Sequence, residues 1–273
     1  MNLQVPLAGV ASARLGFAVV NGRTAVVRAE AQSPLKLLLP RHAGTAGWAC
    51  ASNLGGGFVD GDEVRFEIAV GDGAKAALTS QASTKVYRGQ AAQSLCANIA
   101  GDGLLVAAPD PVVCYNGAGY RQEQAFSLSA RAGLVVIDAL SSGRSARGER
   151  WAFASYQSRI QIERAGKTEL IDALRLSPDD GAVMERLGRF EVLMLAAVTG
   201  PALAEGARRL CADIGALPLG RQSRLILSCS PFGPDGVLLR VAAVSVEDAA
   251  LELRRRLSFV WEILGDDPWS RRN

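Results

Sequence analysis

One histidine, His42, occurs in 273 residues, and that scarcity excludes a good deal of chemistry. A multi-histidine metal site has no ligand set, and a Ser-His-Asp triad would have to be built around this single residue. His42 falls in a loop between Pro40 and Gly47 and is read as a surface or supporting residue rather than a catalyst. The cysteines offer no framework either. Five stand at 50, 96, 114, 211 and 229, an odd number with no C-x-x-C pair. That pattern argues against a disulfide scaffold or a zinc site and fits a reducing cytoplasm. No apolar run approaches the roughly 20 residues that span a bilayer. The first 20 residues lack a basic leader and are interrupted by Arg14, so no membrane insertion or export signal is expected. Charge is not skewed: 30 basic against 27 acidic residues leave a net +3, too small and dispersed to suggest nucleic acid.

What is present is ordinary for a soluble globular protein, with 49% hydrophobic and 21% charged residues. With no linker visible, the expectation is one unit over 1–273, β-rich through 180 and α+β from 181 onward. Alternation runs through Val64, Phe66, Ile68 and Val70, the period of a half-buried strand. Asn21-Gly22 is a hairpin signal because both residues accept positive φ. Hairpin turns are also expected at Gly71-Asp72-Gly73 and Ala165-Gly166, with a further turn at Gly101-Asp102-Gly103. Leu134–Leu140 reads as a fully apolar strand. Short strands at turn-marked intervals predict a mainly β fold of many-stranded sheet layers. Two helices complete the C-terminal segment. One covers Ala202–Ile214 with Gly215 as its C-cap, and the other follows Ser245, with an apolar stripe from Val246 to Leu264.

Familiar catalytic motifs fail on spacing. After Gly55-Gly56-Gly57 a dinucleotide fingerprint needs a glycine where Asp60 stands, and the chain continues as strand rather than helix. Gly166-Lys167-Thr168 imitates the end of a P-loop, but Gln161 occupies the position of its first glycine. No G-x-S-x-G elbow occurs, and Ser83-Thr84-Lys85 lacks the S-x-x-K spacing. The glycines then turn the chain ahead of a strand, the favoured reading, or permit a close backbone approach to a partner or ion. Asp60 and Asp62 share a side if their segment is extended, so they could meet a cation or an arginine; the favoured reading is turn acids bonding local amides. Arg144, Arg147, Glu149 and Arg150 before Trp151 form a solvated corner or a contact surface. Cys114 is read as a small buried apolar residue.

Taken in order, Gly55-Gly56-Gly57-Phe58-Val59-Asp60-Gly61-Asp62, Thr79–Arg88, Pro109-Asp110-Pro111-Val112, Gly119-Tyr120-Arg121-Gln122, Ser142-Gly143-Arg144 with Gly148–Trp151, and Asp172–Leu176 resemble the UreD (also called UreH) family of urease accessory proteins. The resemblance implies a β-rich fold with a few helices and a scaffold without turnover of its own. It implies partnership with UreF-like and UreG-like accessory proteins and with apo-urease, to which nickel is delivered. No cofactor is then bound stably, and nickel is cargo in transit. Asp60 and Asp62 are the matching acids for a metal path, with Glu149 a further candidate, since carboxylate oxygens hold a divalent ion weakly enough to release it. Lys85, Tyr87, Arg88, Arg144 and Trp151 are the candidate partner-facing residues. The departures, such as Asn53-Leu54 where the family usually carries a proline, leave open a paralogue serving another metalloenzyme. A small-molecule enzyme using Asp60, Asp62, Lys85 or Arg144 is the remaining alternative.

Overall fold

The computed structural model describes residues 10–41, 44–218, 220 and 222–268; His42 lies outside them. The strands in chain order are β1 (Val10–Val20), β2 (Arg23–Ala31), β3 (Leu35–Leu38), β4 (Gly47–Asn53), β5 (Glu63–Val70), β6 (Lys75–Ser80), β7 (Thr84–Val86), β8 (Gly89–Ile99), β9 (Leu104–Ala108) and β10 (Val112–Cys114). They continue as β11 (Ala118–Leu128), β12 (Gly133–Ser141), β13 (Gly143–Arg144), β14 (Glu149–Arg150), β15 (Ser155–Arg164), β16 (Lys167–Leu176), β17 (Val192–Thr199), β18 (Leu225–Phe232) and β19 (Gly236–Ala243). The α-helices are α1 (Val183–Leu187), α2 (Ala204–Gly215), α3 (Val246–Arg256) and α4 (Ser258–Leu264).

Two large sheets stack face to face and the helices cover one of them, giving three layers around two cores. The outer sheet runs β16-β15-β11-β8-β5-β1-β2 and the inner one β18-β19-β17-β12-β9-β6-β4-β3, with β7 and β10 attached beside β12. Side-chain patterning sorts the strands between these layers. In β5 and β11 buried and exposed residues alternate, because the outer sheet faces solvent on one side. In β9 every residue is buried and in β12 nearly every one, because the inner sheet is covered on both faces. One apolar core, including Phe17, Phe66, Phe126 and Ile162, fills the space between the sheets. The other, including Leu210, Leu253, Leu257 and Val260, lies between the inner sheet and α2–α4.

The expected hairpin at Gly71-Asp72-Gly73 is not formed. That turn passes the chain from β5 in the outer sheet to β6 in the inner one, and Gly101-Asp102-Gly103 passes it likewise from β8 to β9. Val70 stands opposite Ile99, which stands opposite Leu128, all in parallel strands. The chain therefore winds as a parallel coil, and its corners stack: the Asp102 amide donates to Asp72 Oδ1 at 2.8 Å, and Arg131 Nε donates to Asp102 Oδ1 at 2.6 Å. A turn signal marks where the chain changes direction, whereas the partner strand is chosen by burial of faces across the whole molecule. True hairpins do occur at Asn21-Gly22, where φ is 51° and 75°, and at Ala165-Gly166, where φ is 49° and 77°. These values suit the tight turns that match strand twist.

The helices differ from expectation in number and length. The stripe after Ser245 is divided at Leu257 (φ −98°, ψ 18°) into α3 and α4, which keeps Leu253, Leu257, Val260 and Leu264 all buried against the inner sheet. Gly215 closes the last turn of α2, and Ala216 is its cap. The short α1 was not expected. Ser245 caps α3 as its sequence suggests, its hydroxyl oxygen accepting from the Asp248 amide at 3.0 Å. Ser245→Ala should cost about 1 kcal/mol and lower the melting temperature by roughly 2–4 °C in a chain of this size, measured by thermal denaturation; an unchanged melt would show that the cap contributes nothing.

Candidate functional site

Between the sheets lies a cavity of about 320 Å³. It opens where the edge strands β16 and β18 leave both sheets unpaired, and Leu140, Leu174, Leu193 and Val241 supply much of its wall. The alternation of β12 determines what faces it. Leu134, Val136 and Leu140 point into the core between the sheets, while Val135, Ile137 and Ala139 point to the helices. The same parity aims Asp138 at the inter-sheet space. Leu134–Leu140 is thus not wholly apolar, and the acid in its middle is the residue that motif reasoning overlooked.

Asp138 is surrounded by donors. Gln122 Nε2 donates to Oδ1 at 3.0 Å, the Tyr156 hydroxyl donates to the same oxygen at 3.3 Å, and Ser158 Oγ donates to Oδ2. Tyr120 donates in turn to Gln122 Oε1 at 3.3 Å. Burial pushes the Asp138 carboxyl above its usual range; the hydrogen bonds from Ser158, Gln122 and Tyr156 pull it back in part, and the charge of Asp172 adds to the rise. Burial likewise holds the Tyr120 and Tyr156 phenols well above their ordinary range and pushes the Cys114 thiol up to about 12. Arg240 reaches across the gap from the inner sheet to pair with Asp172 on β16. Chemically this is a carboxyl that holds its proton more tightly than an exposed aspartate, and a cation binding there would have to displace that proton. Among the described residues no group of three or more His, Cys, Asp or Glu is arranged to hold a metal ion.

A second assembly lies at the end of the coil, joined to the first through the backbone: Val113 of β10 is registered with Ser141 of β12 on one side and Lys85 of β7 on the other. Here the Arg144 guanidinium stacks 4.3 Å from the Tyr115 ring centroid, and Tyr87 meets Tyr115 edge-on at 5.2 Å. Glu149 receives Arg144 Nε at 2.8 Å and a second bond from Nη2, holding the guanidinium as a fork. That bond raises the Arg144 pKa and depresses that of Glu149. Lys85 and Arg88 are exposed, and Arg88 lies over Gly117. Leu54 and Val59 nearby are also exposed, at 64% and 54%.

The glycine cluster builds this end. Gly55 and Gly56 direct their amides at Asn53 of the same turn, 2.9 Å to its side chain and 3.2 Å to its carbonyl, which leaves no phosphate cradle. At Gly57 a Cβ would lie 2.6 Å from the Lys85 carbonyl oxygen and 2.8 Å from the Tyr87 ring. Gly57→Ala should therefore displace β7 and cost about 1–3 kcal/mol through overpacking. Gly55→Ala, whose nearest contact would be an ordinary 3.5 Å, is the control expected to melt unchanged; equal melts for both variants would refute the packing argument.

The predicted acids sit in this same region but do not converge on one point. Their segment is a turn rather than extended strand. Asp60 Oδ1 accepts the Gln90 amide at 2.7 Å and Asp62 Oδ2 accepts the Val59 amide at 2.8 Å. Trp151 differs from the other candidate contact residues in being only 3% exposed. Its indole donates to the Phe190 carbonyl at 2.9 Å, so it braces the β13–β14 loop from beneath rather than presenting a surface.

A family model described as UreD urease accessory protein matches residues 9–272. The chain belongs to the UreD family of urease accessory proteins. It is 48% identical over 263 residues to a protein of Sorangium cellulosum (strain So ce56) named urease accessory protein UreD, covering 96% of this chain and 84% of that one. A urease accessory protein D of Oryza sativa subsp. indica is 34% identical, with 98% and 99% covered, and one of Arabidopsis thaliana is 33% identical, with 92% and 97% covered.

Within this UreD-family chain, the motifs that carried the resemblance have structural duties that explain their composition. Gly57 permits the approach of β7, Arg144 and Glu149 form the fork, and Asp172 takes Arg240 across the cleft. Asp138 could have been found from one signal, an ionisable residue with inward parity in a strand otherwise buried on both faces.

Proposed function

We propose that this UreD-family protein is a non-catalytic scaffold, working in the cytoplasm with UreF-like and UreG-like accessory proteins to deliver nickel to apo-urease. The observation that carries the reading is the family match along essentially the whole chain, 9–272, to proteins named for a role accessory to urease. The site chemistry supports it. The polar centre is the Asp138 carboxyl among donors, with Asp172 nearby and paired to Arg240, an arrangement suited to brief contact with a divalent ion. Five free cysteines suit a reducing compartment.

On this reading nickel passes the acids Asp60, Asp62 and Glu149 at the coil end and Asp138 in the cleft, and the Tyr87–Tyr115–Arg144 surface with Lys85 and Arg88 meets a partner. Each of the three outer acids is bonded to an amide or guanidinium, yet a carboxylate offers about four acceptor positions, so oxygen remains for a cation. Co-purification with UreF-like and UreG-like proteins and apo-urease, followed by urease activation with added nickel, tests the scaffold role; no complex under any nucleotide condition would overturn it. Asp62→Asn keeps an acceptor for the Val59 amide while removing the charge. It should leave the complex intact and reduce nickel incorporation several-fold, and unchanged incorporation would remove Asp62 from the route.

A further inference from the structure

Helix α2 lies over the edge of the inner sheet, and two cysteines face each other there. On α2 the positions turned inward are Ala207, Leu210 and Ile214, with Cys211 beside them at the margin of the same stripe. On β18 the inward face is Leu225, Leu227 and Cys229, which pack against the same core. Helical spacing on one side and strand alternation on the other thus place Cys211 and Cys229 on the facing surfaces of two packed elements, near enough for the Cys211 side chain to act on the Cys229 thiol. Both are half-buried, unlike the enclosed Cys114 and the exposed Cys96. The outward face of β18 carries Ile226 and Ser228, which line the inter-sheet cavity. A bond at Cys229 would therefore hold one wall of that cavity to α2.

We propose that Cys211 and Cys229 form a peroxide-sensitive dithiol that closes to an intramolecular disulfide tying α2 to β18. Burial first, and the neighbouring Cys211 second, push the Cys229 thiol up to about 12, which suits Cys229 to the second, resolving step, with Cys211 meeting the oxidant. Its sulfur attacks one oxygen of hydrogen peroxide, the O–O bond breaks, and a sulfenic acid and one water result. The Cys229 sulfur then displaces the sulfenic oxygen, which leaves as a second water after taking the thiol proton. Two thiols are oxidised by two electrons and one peroxide is reduced. A thiol reductant reverses the step.

The test treats the full reduced chain with hydrogen peroxide and digests it without reduction. The expected product is a peptide pair linked through Cys211 and Cys229, with two fewer alkylatable thiols, reversed by dithiothreitol. Closing the loop between the two positions should raise the melting temperature by roughly 5–10 °C. Cys211→Ser and Cys229→Ser should each abolish both the linked pair and the rise. Sulfinic acid on either cysteine as the main product, or chains joined through Cys96, would overturn the proposal. So would full alkylation of both thiols after peroxide, a readout that needs no variant to fold.

Discussion

Replacing Arg164 by alanine should lower stability by about 3–5 kcal/mol, the usual cost of breaking a buried ion pair by deleting one partner. The melting temperature should fall by roughly 10 °C or more. Arg164 ends β15 and is 8% exposed, yet its guanidinium is fully engaged. Nε donates to Glu169 Oε1 at 3.0 Å, Nη1 to the Ala132 carbonyl at 2.7 Å, and Nη2 to Thr199 Oγ1 at 2.8 Å, with Asp235 at 3.7 Å. Glu169 and Arg164 belong to the outer sheet and Thr199 to the inner one, so a single side chain fastens the two layers where the coil ends. The alanine variant leaves Glu169, itself 9% exposed, as a buried carboxylate without its cation, and that uncompensated charge accounts for most of the loss. Adding Glu169→Gln to the variant should therefore recover part of the stability. Thermal and denaturant unfolding measure both; a melt within a degree of the parent chain would refute the fastening role.

The second large effect is expected at Asp138. Because its folded pKa lies above the unfolded value, the proton is bound more tightly in the folded chain. The resulting stability is fully present below the unfolded pKa of about 4 and is lost as pH rises through the folded value. Asp138→Asn retains hydrogen-bonding atoms for Gln122 and Ser158 without a charge to desolvate. It should match or exceed the parent in stability at neutral pH and abolish the fall in stability that the parent shows above about pH 4. If nickel passes the cleft, the same variant should lower urease activation by roughly tenfold or more, since one cation–carboxylate contact away from bulk water is worth on the order of 1.4 kcal/mol or more. The two readouts separate folding from transport. A variant that is stable and fully active would take Asp138 off the route while leaving the structural account standing, and an unaltered pH profile would refute the account of its burial.

Legibility in the sequence followed the range of the interactions involved. Strand positions, the Asn21-Gly22 and Ala165-Gly166 hairpins and the Ser245 cap were readable because each depends on residues within a few positions of one another. The glycine cluster was readable as a turn, but the need for Gly57 to lack a Cβ comes from Lys85 and Tyr87, close to 30 residues away. Trp151 looked like a contact residue by type, whereas its burial depends on Phe190 in another part of the chain. Asp60 and Asp62 were matched as a pair, but the turn around Gly61 gives each its own amide partner.

By itself the sequence determined the layered β class and the family, because alternation, turn chemistry and motif spacing are local properties of the chain. Only the tertiary structure decided that successive strands alternate between two sheets as a parallel coil, since period-2 patterning is the same for parallel and antiparallel neighbours. It alone decided that Asp138, Tyr156 and Ser158 meet across the cleft, that Asp172 and Arg240 bridge it, and that Cys211 faces Cys229. Those groups lie far apart along the chain, and what brings them together is the burial of two sheet faces against each other.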